Sequence, residues 1–189
     1  MSRSTKLALL ALIPLALSGC GYNNIQRYDE QAAQAKQQID VQLQRRADLV
    51  PNLVATVKGY AKQEETIFIE VARARSGLVS AIQSGDPSEA AAANAQLTGA
   101  LSRLLVTVEA YPQLKSDQNF LRLQDELSGT ENRIATARTD YNAAVSAYNT
   151  YIRTLPQKLT AMVTGAKPRE YFDAPQGTAA PPQVDFSRP

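Results

Sequence analysis

Residues 39–60 read IDVQLQRRADLVPNLVATVKGY, and the fold turns on what happens at Pro51. Proline supplies no backbone N–H and its ring crowds the carbonyl four residues earlier, so a helix interior resists it while a first turn accepts it. Asp48 stands where an N-cap belongs, and Pro51 falls in the turn that follows. The stretch is therefore predicted to be a corner that closes one helix near Ala47 and opens a longer one at Asp48. The alternative is a single kinked rod through Pro51. It would make one element too long for its neighbours to cover, and the corner is the preferred reading.

Working outward, Ile25, Tyr28, Ala32, Ala35, Ile39 and Leu43 alternate three and four apart, which places them on one side of a first helix over 22–47. The second helix carries Val50, Leu53, Val57, Tyr60, Glu64, Ile67, Val71, Ala74, Leu78 and Ile82 on its seam. It stops at Gly85, a left-handed cap position. Asp86, Pro87 and Glu89 then supply an N-cap, a first-turn proline and a capping-box glutamate. A third helix over 87–110 has Leu97, Leu101, Leu104, Val108 and Tyr111 as its stripe, with Pro112 ending it. Ser116 is the N-cap expected for the fourth. That helix has the longest pattern, from Phe120 through Thr130 and Tyr141 to Leu155, about 60 Å at 1.5 Å per residue. Four such stripes joined by short connections predict an all-α fold, an antiparallel up-and-down four-helix bundle over 20–165. Beyond Gly165, five prolines mark residues 166–189 as a tail expected to be disordered, with Tyr171 and Phe172 as the residues able to dock.

The 189 residues contain no histidine and one cysteine, which removes the commonest general base, the commonest metal ligand and any disulfide framework. No metal and no cofactor are expected. Formal charge is +2, and taking Arg3 and Lys6 from the 20 basic residues leaves 18 against 18 acidic ones. A near-neutral mature chain gives nucleic acid no long-range attraction.

Those two cations lie in an address segment. Met1 to Lys6 is basic, and Leu7 to Leu17 is almost wholly apolar yet short for a bilayer span. The run ends Leu17-Ser18-Gly19-Cys20, a lipobox, with the only cysteine of the chain where acylation needs it. Residues 1–19 are read as a lipoprotein signal peptide and Cys20 as the lipidation site, with acyl chains binding membrane lipid. Residue 21 is glycine, not aspartate, which directs the protein to the outer membrane, facing the periplasm, if the host is Gram-negative.

Five charged residues lie on or beside the seams: Arg46, Glu64, Glu109, Glu131 and Arg138. A charge on a seam is costly unless paired, so these are expected to form a structural ion-pair network. The competing reading is a hydrolase acting on envelope material, with Glu64, Glu109 or Glu131 in acid–base roles, which requires two carboxyls across a cleft. Bundles offer seams, and no catalytic residue is assigned. The tyrosines at 22, 28, 60, 111, 141, 148 and 151 fall on seams and are expected in the core with their hydroxyls bonded, and Asn23, Asn142 and Asn149 as local hydrogen-bonding partners. Neither a Gly-x-Ser-x-Gly elbow nor a Gly-rich phosphate loop is present.

The runs IDVQLQRRADLVPNLVATVKGYAKQE, Ala74-Arg75, VEAYPQLKSDQNFLRLQDEL and TENRIATARTDYNAAVSAYN together resemble the LemA family of bacterial envelope proteins, over about residues 22–172. The resemblance implies a four-helix bundle held to a membrane at its N-terminus. It implies no enzymatic activity, cofactor or catalytic residue. Family members typically carry a transmembrane anchor, and here a lipobox replaces it. A membrane protein of the TPM-domain type is the partner the resemblance suggests. The expected function is a scaffold or adaptor in the cell envelope, with the hydrolase and a lipid-remodelling bundle as alternatives.

Overall fold

The computed structural model describes the backbone of residues 3–61 and 63–172, and side chains from Gly21 onward except at position 62. The expectations for the signal peptide side chains, for the Cys20 side chain and for residues 173–189 lie outside the described residues. Within them the chain is all-helical: α1 (Arg3–Tyr60), α2 (Glu65–Ser84), α3 (Pro87–Val108), α4 (Pro112–Lys115), α5 (Gln118–Arg153) and α6 (Gln157–Thr164). No described helix is long and apolar enough to cross a membrane.

The corner at Asp48 does not form. α1 runs through Pro51 without interruption, as the alternative had it there, but it stops at Tyr60 instead of continuing through the whole of the second predicted helix, and at 58 residues α1 is longer than the 36-residue α5. Asp48 is exposed, and its carboxylate accepts from Gln44 Nε2 at 2.8 Å instead of capping a helix. The reason lies on both flanks of the proline. Leu43, Ala47, Val50, Leu53 and Val57 are all fully buried, a stripe that crosses Pro51 in unbroken register while the proline ring faces outward. Burial of that stripe outweighs the one backbone bond that proline removes.

The actual break comes ten residues later. α1 ends at Tyr60, and α2 starts at Glu65 with Glu64 in the capping position and no side-chain cap bond. Glu64 is therefore a joint residue and not part of a helical seam. The register restarts there. Phe68, Val71, Leu78 and Ala81 are the buried positions of α2, whereas Ile67, Ala74 and Ile82 are half-buried.

The chain divides into two compact units. One comprises Met1–Gln42 and Asn132–Tyr171, the other Leu43–Glu131 and Phe172–Pro189, so α1 and α5 each contribute to both. In the second unit, α2 and α3 form a helical hairpin around Gly85 (φ 77°). Asp86 Oδ1 accepts from the Ser88 and Glu89 amides at 2.7 and 3.3 Å, the N-cap expected there. Glu89 turns to the Ser84 hydroxyl (2.6 Å) instead of closing the capping box. The Ala-rich start of α3 is well packed, with Ala90, Ala91 and Ala93 buried. After α3, Pro112 begins the short α4, and Tyr111 precedes it instead of extending the α3 stripe. The cap of α5 is Asp117, not Ser116: its Oδ1 accepts from the amides of Asn119 and Phe120, both at 2.9 Å.

In the first unit, α5 contributes Ile134, Tyr141, Val145, Tyr148 and Ile152 to the core, while Leu155, predicted on the stripe, is exposed. The chain turns at a cis Leu155–Pro156 peptide into α6, which closes at Gly165 (φ 70°) with the Gly165 and Ala166 amides both bonded to the Ala161 carbonyl.

Candidate functional site

Two polar centres stand out, one in each unit. In the second unit, Arg46 is 5% exposed, and a buried guanidinium is tolerable only if its donors are used. Nη1 donates to Asn94 Oδ1 at 2.8 Å and pairs with Glu131 Oε2, while Nη2 donates to Thr98 Oγ1 at 3.0 Å. Nε is buried and has no acceptor among the described residues. Burial pushes the Arg46 guanidinium below its usual range, and the Glu131 charge opposes that shift. At the very next residue α1 meets a second cation: Arg75 of α2 donates from Nε to the Ala47 carbonyl at 2.7 Å.

In the first unit the chain after α6 is fastened across α1 and α5. The Asn149 carboxamide makes two bonds with the Arg169 backbone, donating to its carbonyl at 2.9 Å and accepting from its amide at 2.8 Å. The Arg169 side chain forms a two-pronged bond with Asp29 of α1 at 2.7 and 3.0 Å, which raises the guanidinium above its usual range despite partial burial. Tyr141 Oη donates to the Glu170 carbonyl at 2.8 Å, and burial of Tyr141 pushes its phenol up. The strap therefore begins before the two aromatic residues singled out in the sequence. Tyr171 is 40% exposed, and Phe172, which belongs to the second unit, is buried.

Among the five charges read from the sequence, Arg46, Glu64, Glu109 and Glu131 have different partners. Arg46 and Glu131 meet. Glu64 accepts from the Tyr111 hydroxyl at 3.5 Å, and Glu109 pairs with Lys115 at 2.5 Å. Arg138 belongs to the other unit. Each of the three glutamates considered for acid–base chemistry is thus engaged by a different donor, on different stretches of the chain. Among the described residues no group of three or more acidic or cysteine side chains could hold a metal ion. Of the seven tyrosines expected on seams, Tyr141 and Tyr148 are buried and Tyr22 and Tyr60 are substantially exposed. The Tyr60 hydroxyl donates to Asp117 Oδ2 at 3.0 Å, tying the end of α1 to the cap of α5.

Sequence reasoning missed Arg169 and expected Asn149 to bond locally beside the tyrosines, whereas its partner is the Arg169 backbone 20 residues away. Arg75 was visible only as part of a family pattern, Asn149 acts on backbone atoms that no periodicity marks, and Arg169 reaches Asp29 across 140 residues. The bonds of Asn94 and Thr98 to Arg46 also require the third dimension.

The chain is similar in sequence to known proteins. Magnetosome protein MamQ 1 and magnetosome protein MamQ 2 of Paramagnetospirillum magneticum (strain ATCC 700264 / AMB-1) are each 31% identical over 174 residues, covering 80% of this chain. The chain spans 64% of the length of these two relatives. Magnetosome protein MamQ of Magnetospirillum gryphiswaldense (strain DSM 6361 / JCM 21280 / NBRC 15271 / MSR-1) is 31% identical over 189 residues, or 88% of this chain and 69% of that protein. The model of the LemA family matches residues 35–186, most of the sequence and both polar centres except Asp29, and the chain belongs to the LemA family.

Proposed function

We propose that this protein is a non-enzymatic envelope lipoprotein whose helices α1, α2, α3 and α5 form a four-helix bundle that serves as a scaffold or adaptor. The observation that carries the reading is how the inward polar groups are used. Arg46 is consumed by Glu131, Asn94 and Thr98, Arg169 by Asp29 and Asn149, and Arg75 by a backbone carbonyl. These bonds hold helices in place, and among the described residues Glu64, Glu109 and Glu131 are each engaged by a different donor. The relatives are named for the magnetosome, a reading compatible with attachment to a membrane.

The anchor in this reading is the acylated Cys20 after removal of residues 1–19, and the setting is the cell envelope, on the outer membrane facing the periplasm in a Gram-negative host. An envelope membrane protein, of the TPM-domain type that the family resemblance suggests, is the partner class. Metabolic labelling with palmitate tests the anchor: wild type incorporates label and Cys20→Ser does not. Crosslinking in intact membranes tests the adaptor role, and repeated recovery of no specific envelope protein would reject it.

A further inference from the structure

We infer that the outer face of α6 rests on an anionic lipid surface, at the membrane to which the N-terminus of the chain is held. The helix has two unlike sides. Ala161 faces inward and is buried with Ile25, Tyr148 and Ile152, with Tyr28 and Tyr151 packed against the same cluster. Opposite it, Leu159 is 60% exposed, Met162 72% and Val163 88%, and Leu155 just before the helix is 73% exposed. Positions 159, 162 and 163 fall within about 100° of arc at 3.6 residues per turn, so these side chains form one patch. Large apolar side chains concentrated on so short an element mark an interaction surface and not scattered exposure.

Charge and position say what covers it. From residue 141 to residue 169 there is no acidic side chain, and Arg153, Lys158 and Lys167, on α6 and the stretches that flank it, are all exposed. Exposed apolar side chains on a segment whose only charges are cations are the pattern of a helix lying in the headgroup region, its apolar side toward the acyl chains and its cations toward phosphate. An acidic protein face would meet the same cations, and position decides between the two. The face also lies next to the attachment point. Thr160 Oγ1 is 3.2 Å from where a side chain on Gly21 would begin, so α6 packs against the first residue after Cys20. Tyr22, 45% exposed, adds an amphipathic ring of the kind found at membrane interfaces.

The inference rests on the membrane-attachment reading above, and the test separates the two. Full-length Met162→Cys protein, purified from membranes, is reconstituted into vesicles of phosphatidylcholine with or without phosphatidylglycerol. It is then labelled with an environment-sensitive thiol fluorophore. Wild type, whose only thiol is Cys20, supplies the background. Val41→Cys is the control, because Val41 is 57% exposed and lies about 30 Å further along α1 from Gly21. The expected result is blue-shifted emission at position 162, quenched by lipids carrying doxyl groups and more strongly with phosphatidylglycerol, and no quenching at position 41. Emission at 162 as water-exposed as at 41 overturns the inference, and so does a shielded label that doxyl lipids fail to quench, which would mean protein covers the face. Palmitate labelling of the same preparation reports the anchor independently: label without quenching removes this surface alone, and quenching without label removes the acyl anchor alone.

Discussion

Arg75 Nε donates to the carbonyl of Ala47 at 2.7 Å, and Ala47 is the residue whose helical bond Pro51 cannot supply. In an uninterrupted helix the amide at position 51 would bond that carbonyl. Ala47 is fully buried, so water offers no substitute, and an orphaned buried carbonyl is expensive. A side chain from the next helix thus completes the ladder of the first, and the proline becomes a docking point for α2.

This relationship predicts coupling between the two residues. Arg75→Met costs about 1–2 kcal/mol in the wild-type background, the usual penalty for a buried acceptor left unbonded. In a Pro51→Ala background the restored amide takes the carbonyl, and the same change at Arg75 costs less by about 0.5–1 kcal/mol. Urea unfolding of the four proteins measures the cycle. Simple additivity would reject the account.

At the Arg46 centre, Glu131→Gln leaves a buried guanidinium without its counter-charge. Because Glu131 is 47% exposed, the cost lies between surface and buried pairs, about 1–3 kcal/mol. Arg46→Met, which removes the charge along with the pair and keeps most of the volume, is expected to cost less than Arg46→Ala. The midpoint of chemical unfolding ranks the three variants, and an Arg46→Met protein weaker than Arg46→Ala would contradict the desolvation argument.

The strap over the first unit depends on one carboxamide. Asn149→Ala breaks both bonds to Arg169 and is expected to release residues 166–171 at a local cost of about 1–3 kcal/mol. Hydrogen exchange reads it directly: the Arg169 amide loses protection while amides in the middle of α5 keep theirs. Unchanged protection at Arg169 would show that Asp29 and Tyr141 hold the strap by themselves.

Asp117 gives the molecule an acid-sensitive joint. Its carboxyl is held below the ordinary value chiefly by the Phe120 amide and next by the Tyr60 hydroxyl. A depressed folded-state pKa means that its stabilisation is present at neutral pH and is lost as pH falls from the ordinary carboxylate range through the folded value. Asp117→Asn keeps a capping oxygen but cannot titrate. Its thermal midpoint is therefore expected to lie below that of wild type at pH 7, with the gap narrowing as pH falls below about 4. A gap that stays constant with pH would exclude Asp117 as the titrating group.

By itself the amino-acid sequence determined the helical class, most buried stripes and the hairpin turn at Gly85–Asp86. Each of these is a local consequence of side-chain spacing or of what one residue does to its own backbone. It also carried the family, through RADLVPNL, EAYP and the paired YN steps. The tertiary structure decided where helices stop. Pro51 weighs against a helix only while its neighbours are ignored. With Leu43, Val50 and Leu53 buried on one face and Arg75 supplying the missing donor, the helix continues. Conversely, the seam written across Tyr60, Glu64 and Ile67 has sound periodicity, yet the chain breaks there and starts a new register at Phe68. The bonding of Arg46 and Asn149 was beyond the sequence for the same reason. Their partners lie 20 to 85 residues away, and only packing brings such groups within hydrogen-bonding distance.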